Sequence, residues 1–369
     1  LSKGVKPRTH EPALDENQLG EAWADLGALP HASVSQDRFS LSLRTLTQPD
    51  LLEAAIALAA RQLAEPSFPE AVWQIERERW LASWRESNTK PNVQASRAFT
   101  RAVYGSHPYG QEVDEISLKA MDTEAMKAFH ATHLRPCRAK VSIVGALTRE
   151  QASAKAQQLL QGLPAGVSCE LLPWVQEVQP LAQAQRIDLP FESAQAHVFM
   201  GQPGIARLHP DFMALTVGNY VLGGGGFVSR LTEQVREKRG LSYSIYSYFA
   251  PGQHARAFTV GLQTRPDQAA QAVEVAQQVV SEFVAKGPTE AELQAAKDFL
   301  IGGFALRLDS NRKLMDNLSN IAWFDLPLDY LDTWTQQVSR LTVNDIQQAF
   351  ARNLQPNRMV TVVLGASKP

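Results

Sequence analysis

The sequence predicts an α+β fold built in two copies, each a mixed or antiparallel sheet with helices layered on one face. The first copy lacks the strands and helix that open the second. Three observations carry this reading. Residues 134–146 (LRPCRAKVSIVGA) and 354–366 (LQPNRMVTVVLGA) align without a gap, with Leu, Pro, Arg and Gly-Ala at equal offsets, the mark of an internal duplication. Runs of strands are separated by pairs of helices, which argues against a doubly wound parallel sheet. The long helices each carry an apolar stripe, as helices covering a sheet do.

The elements follow in order. Residues 38–50 (RFSLSLRTLTQPD) read as a strand running into a Pro-Asp helix start, and 256–267 (RAFTVGLQTRPD) answer them. A helix over 69–86 places Val72, Trp73, Ile75, Trp80, Leu81 and Trp84 on a broad apolar face. Its counterpart over 288–308 does so more cleanly with Leu293, Ala296, Leu300, Phe304 and Leu308. A short amphipathic helix ending near Phe129 or Phe350 precedes each duplicated tail, and a further helix over 149–160 closes the first copy. Residues 163–185 hold three prolines and no period, the pattern of an extended linker. This divides the chain into an N-terminal domain 1–162, a linker 163–185 and a C-terminal domain 186–369. The second copy opens with strands near 186–189 and 197–201 and a helix over 210–221, for which the first copy has no counterpart; residues 1–4 answer the end of that helix.

Composition excludes several classes. Lys and Arg number 36 against 38 Asp and Glu in 369 residues, so no basic field for nucleic acid exists. No run of about 18 apolar residues is present and the N-terminus lacks a signal-peptide pattern, so no membrane-spanning segment is expected. Cys137 and Cys169 are too few for a disulfide framework and lie outside any C-x-x-C; they read as free, half-buried thiols.

The stretch 220–249, YVLGGGGFVSRLTEQVREKRGLSYSIYSYF, carries the chemistry. Gly223 to Gly226 end an apolar helix in a turn expected to need positive φ. Ser229 is a candidate N-cap for a second helix that turns Leu231 and Val235 inward, and Gly240 stops it before a Tyr-rich strand over 241–249. Arg236 then falls in the last turn of a helix and Tyr243 at the start of a strand, placed to aim two donors at one acceptor. The plainer alternative is a surface Arg suited to a helix C-terminus and an ordinary strand Tyr. The glycines lack the Lys-Ser/Thr and spacing of a phosphate loop.

The string L-G-G-G-x-x-x-S-R-L followed by V-R-E-x-x-G-L-x-Y-S resembles the C-terminal half of the M16 (pitrilysin, insulinase and mitochondrial processing peptidase) family, in particular its short bacterial members. The resemblance implies that Arg236 and Tyr243 hold a substrate peptide in the active site of the other half. Catalytic members carry H-x-x-E-H, two zinc ligands with a general base between them, and this sequence contains none. The family's third ligand, a Glu, falls here at Trp84 or Arg85, neither of which binds zinc. Glu76, Glu78 and Glu86 are close in sequence, but a shift of two residues turns a helical side chain by roughly 200°, so they read as a solvated face. His130 and His133, an i, i+3 pair, read as surface histidines. His197 reads as core or edge packing.

The resemblance therefore implies a non-catalytic subunit, inactive alone and with no cofactor of its own. Its partner would be an M16 catalytic subunit that supplies H-x-x-E-H and zinc, and the substrate a peptide or unfolded polypeptide added to a sheet edge. Two alternatives stay open: a zinc endopeptidase whose H-x-x-E-H lies upstream of Leu1, and a non-enzymatic assembly subunit. Relatives of this kind incline the expectation to the bacterial periplasm or cell envelope, with the cytoplasm as the alternative.

Overall fold

The computed structural model describes residues 1–164, 172–250 and 252–366. The first copy runs β1 (Gly4–Val5), β2 (Leu14–Asp15), α1 (Glu16–Asp25), β3 (Leu29–Val34), β4 (Phe39–Arg44), α2 (Pro49–Ala64), α3 (Glu70–Ser87), α4 (Pro91–Tyr104), α5 (Glu115–Ala120), α6 (Thr123–His133) and α7 (Arg149–Leu160). The second runs β5 (Gln185–Leu189), β6 (Ala196–Pro203), α8 (Phe212–Asn219), β7 (Ser244–Phe249), β8 (Ala257–Thr264), α9 (Ala269–Lys286), α10 (Glu290–Gly302), α11 (Asn311–Trp323), α12 (Tyr330–Arg340), α13 (Val343–Asn353) and β9 (Val360–Leu364).

The duplication is visible in where elements start. Glu70 and Glu290 open α3 and α10, Thr123 and Val343 open α6 and α13, and Pro136 and Pro356 each open a 3-10 turn, always at the same offset. The caps match too: the Asp122 side chain accepts from the Ala125 amide and the Thr342 side chain from the Asp345 amide. The final strand differs. β9 pairs in parallel with β5 and antiparallel with β6, whereas its counterpart over 140–144 forms no ladder among the described residues. The physical reason is that, among the described residues, the first copy offers no strands equivalent to β5 and β6 for it to pair with.

The described residues gather into two compact units, each drawing on both copies. One takes Leu1–Trp84, Val113–Trp174 and Ser310–Trp323; the other takes Arg85–Glu112, Val175–Asp309 and Phe324–Pro369. The first unit holds the β1-β2 and β3-β4 pairs around a core of Val5, Leu19, Trp23, Ala28, Ala55 and Ala59. On α3, Trp73 and Leu81 are buried but Ile75 and Trp80 are more than half exposed. The broad stripe expected there splits, and only its i, i+8 members face the core. Cys137 is exposed and disulfide-bonded, which corrects the expectation of a free, half-buried thiol; Cys169 lies outside the described residues.

The second unit is built on one five-stranded sheet, order β5-β9-β6-β8-β7. Alternation along β9 separates its faces. Val363 joins a large core with Val198, Met200, Val260 and Leu262, packed by α8, α9, α10 and α13. Val360, Val362 and Leu364 point the other way, onto Ala95, Phe99 and Val103 of α4. Gly201 of β6 lets α4 sit close, since a Cβ there would lie 3.0 Å from the Phe99 ring and 1.9 Å from the Phe258 carbonyl oxygen. Helix α4 covers β6 and β9, and among the described residues β7 pairs with β8 alone and ends the sheet.

Candidate functional site

The glycine-rich stretch is wound more widely than an α-helix. After α8, Tyr220–Gly224 forms a π turn in which the Gly225 amide reaches back to the Tyr220 carbonyl at 2.8 Å. Thr232–Glu237 forms a second, with the Lys238 amide on the Glu233 carbonyl at 2.9 Å. Such winding is rare and recurs at functional sites. Of the four glycines only Gly226 has positive φ, at +61°. Gly223 serves space instead: a Cβ there would meet the Ser247 Oγ at 2.3 Å. The positive φ expected of the turn thus falls on Gly226 alone of the four.

A buried pair ties this turn to β7. Asn219 Nδ2 donates to the Ser247 carbonyl at 2.9 Å, and Ser247 Oγ donates to Asn219 Oδ1 at 2.7 Å. Arg230, of the S-R-L string, forms a two-pronged pair with Glu292 at 2.7 and 2.6 Å and donates to the Gly287 carbonyl at 3.1 Å. Burial on its own would raise the Glu292 carboxyl, but Arg230 and the Thr289 cap outweigh it and hold the group at about 2. Ser229 takes the backbone part of an N-cap, accepting from the Glu233 amide at 2.9 Å. Its side chain does not cap as expected: the hydroxyl donates to the Gly226 carbonyl and reaches Thr232 Oγ1.

Gly240, at φ +61°, ends the segment as expected. Its amide closes on the Arg236 carbonyl at 2.8 Å and the Leu241 amide on the Val235 carbonyl at 2.9 Å. Each loop is one residue longer than in the Schellman closure of an α-helix, as π winding requires. Arg236 emerges from this last turn with its guanidinium 4.6 Å from the centre of the Phe227 ring and Nε 3.5 Å from Glu237. Tyr243 directly precedes β7 and is 81 % exposed. Among the described residues Arg236 and Tyr243 make no hydrogen bond or ring contact with each other. Tyr246 and Tyr248, stacked with centroids 6.0 Å apart, continue the aromatic surface along β7.

The zinc-ligand candidates do not assemble. His130 is buried, correcting its reading as a surface residue, with Nε2 2.7 Å from the Leu63 carbonyl. His133 stacks on Phe129 and faces Arg138 at 3.5 Å. Glu76 pairs with Lys3 and Arg79, Trp84 donates to the Val113 carbonyl, and Glu86 pairs with Lys90. Among the described residues no three His, Cys, Asp or Glu side chains gather where one ion could sit. These residues do not fit a zinc ion. No helix among them is long and apolar enough to cross a membrane.

Tandem α+β copies with a π-wound glycine turn, a half-buried Arg236 and an exposed Tyr243 define a metallopeptidase-like scaffold. Comparison with known proteins gives the same class. Residues 120–300 match the family described as Peptidase M16 inactive domain. The crystal structure of a peptidase M16 inactive domain from Pseudomonas fluorescens is 32 % identical with a TM-score of 0.92, covering 100 % of this chain and 87 % of that one. The non-peptidase homolog YmxG of Helicobacter pylori is 26 % identical over 385 residues, 96 % of this chain and 86 % of its own. An uncharacterized zinc protease of Mycobacterium leprae is 26 % identical over 321 residues, 85 % of this chain and 71 % of its own. The chain belongs to the M16 peptidase family.

Three features of the site were not foreseen. The Asn219–Ser247 pair joins residues far apart in sequence, the Phe227 stack depends on the turn's path, and π winding leaves no compositional trace. The exposed Phe227 beside four glycines was the one available signal.

Proposed function

We propose that this chain is the non-catalytic subunit of a two-chain M16 peptidase, gripping a polypeptide while a partner bearing H-x-x-E-H supplies zinc and the general base. The observation that carries this reading is the pair of donors. In a sequence without the zinc motif, Arg236 is held over Phe227 by a π-wound turn and Tyr243 stands 81 % exposed. A guanidinium and a phenol can both donate to a substrate carbonyl and favour the oxyanion that develops as it is attacked, and such donors are typically worth about 2.7 to 4 kcal/mol each. The edge position of β7 supports the same reading, because an extended peptide can add beside an edge strand through backbone hydrogen bonds with little sequence preference.

The test is direct capture. A fluorescently labelled unfolded polypeptide is titrated with the isolated chain and its anisotropy followed. Binding that weakens in Arg236→Ala and Tyr243→Phe supports the reading. Binding unchanged in both variants removes the proposed role of the pair.

A further inference from the structure

Helix α4 covers β6 and β9 but leaves the β8–β7 side of that face open. There a cavity of about 100 Å³ is lined by Asn92 of α4, His197 and Phe199 of β6, Ser244 and Tyr246 of β7, and Gln263 of β8. Register explains the convergence. Ser244 pairs with Gln263, which pairs with His197, so the three side chains stand in one row across three strands. In the next row on that face Gly261 lies between Tyr246 and Phe199. Lacking a side chain, Gly261 lets the Tyr246 phenol lie over it, where a Cβ would be 2.5 Å from the hydroxyl.

A buried polar side chain in a folded protein is normally hydrogen-bonded. His197, only 9 % exposed, is not: among the described residues its ring makes no hydrogen bond or ion pair, and neither do the side chains of Gln263, which is half-buried, or of Asn92, Ser244 and Tyr246, which are exposed at the mouth. Two carboxamides, two hydroxyls and an imidazole, each able to donate a hydrogen bond, thus line one small space. No charged residue lines it. Asn92 lies in the first turn of α4, a helix of 14 residues, so the helix N-terminus with its partial positive charge lies beside the cavity. The volume is far below the roughly 300–1,000 Å³ of cofactor pockets. It suits a group the size of one side chain.

We propose that this cavity is a carboxylate-binding subsite for the polypeptide held at Arg236 and Tyr243, taking either an acidic side chain or a chain-terminal carboxylate. The proposal rests on the peptide-holding function in that the carboxylate belongs to the held chain. Its chemistry follows from the lining: donors and a helix N-terminus favour an anion, whereas a neutral amide gains nothing from the dipole.

The test uses the intact chain and two kinds of probe. Four otherwise identical peptides carry an internal Glu or its Gln isostere, each with a free or an amidated C-terminus. The expected result is that one carboxylate, internal or terminal, tightens binding by at least about tenfold. That gain disappears in Asn92→Ala and His197→Ala, while Arg236→Ala weakens every peptide alike. Which peptide gains identifies the source of the carboxylate. Acetate is titrated separately while the His197 ring resonances are followed by NMR. A saturating shift that Asn92→Ala weakens supports the subsite even if no peptide binds, in which case the peptide-holding reading fails alone. Equal affinity for all four peptides with no acetate-dependent shift of His197 leaves a cavity filled by water only and overturns the proposal.

Discussion

The guanidinium of Arg236 lies 4.6 Å from the centre of the Phe227 ring. A cation over an aromatic face at an exposed site is worth about 0.5 to 1 kcal/mol, enough to favour one orientation of a long, flexible side chain. Phe227→Ala is therefore expected to weaken peptide capture by roughly two- to fivefold, and Phe227→Trp to restore it. Titration of the labelled polypeptide measures both; equal affinities in wild type and Phe227→Ala would show that the ring does not position Arg236.

Arg230 and Glu292 give the second unit an acid-sensitive contact. Glu292 has its ordinary value of 4.5 depressed to about 2 in the folded chain. A carboxyl with a lowered folded value stabilises above its unfolded value and loses that contribution as pH falls toward the folded one. The loss is thus expected between about pH 4.5 and 2. It amounts to roughly 3 kcal/mol at most and less after solvent screening, since the carboxylate is 31 % exposed. Urea unfolding across this range checks it: Glu292→Gln should be less stable at neutral pH and show a flatter acid limb. An unaltered pH profile would mean the pair contributes nothing.

Asn219 and Ser247 exchange two hydrogen bonds while 9 % and 2 % exposed. Ser247→Ala deprives the Asn219 carbonyl oxygen of its donor and should cost about 1 to 3 kcal/mol. The signature is a lower denaturant midpoint at constant m. No shift would mean water takes the donor's place.

A methyl group at position 223 would sit 2.3 Å from the Ser247 hydroxyl oxygen and 2.7 Å from both Leu231 Cδ1 and the Ser247 amide nitrogen. Gly223→Ala should destabilise by about 1 to 3 kcal/mol through overpacking. Part of that cost should vanish when Ser247→Ala is also present, a coupling of at least about 0.5 kcal/mol. Strict additivity of the two changes would contradict the packing described.

How far the sequence disclosed this structure depended on whether a feature is local. The 149–160 helix, the strand at 185–189 and the stop at Gly240 all follow from caps, periodicity and glycine chemistry acting over a few neighbours. Duplication located α6 and α13 because both repeats keep a capping residue before them. Features set by distant partners were hidden. Ile75 and Trp80 fit an apolar stripe yet face outward, because the packing of α3 decides which side is covered. Residues 140–144 have a β9-like composition but form no strand among the described residues. Arg236 and Tyr243 were legible as a motif, while the π turn and Phe227 that set their surroundings were not, because one extra residue per turn changes no residue type.

The proposed holding of a polypeptide for a partner's catalytic centre is tested most directly by measuring cleavage of an unfolded polypeptide by an M16 subunit bearing H-x-x-E-H, alone and mixed with this chain or its Arg236→Ala and Tyr243→Phe variants. Turnover that requires the wild-type chain and falls by about 10²- to 10³-fold with a variant is the predicted result. Equal cleavage by the zinc-bearing subunit alone, or full activity with both variants, would contradict it.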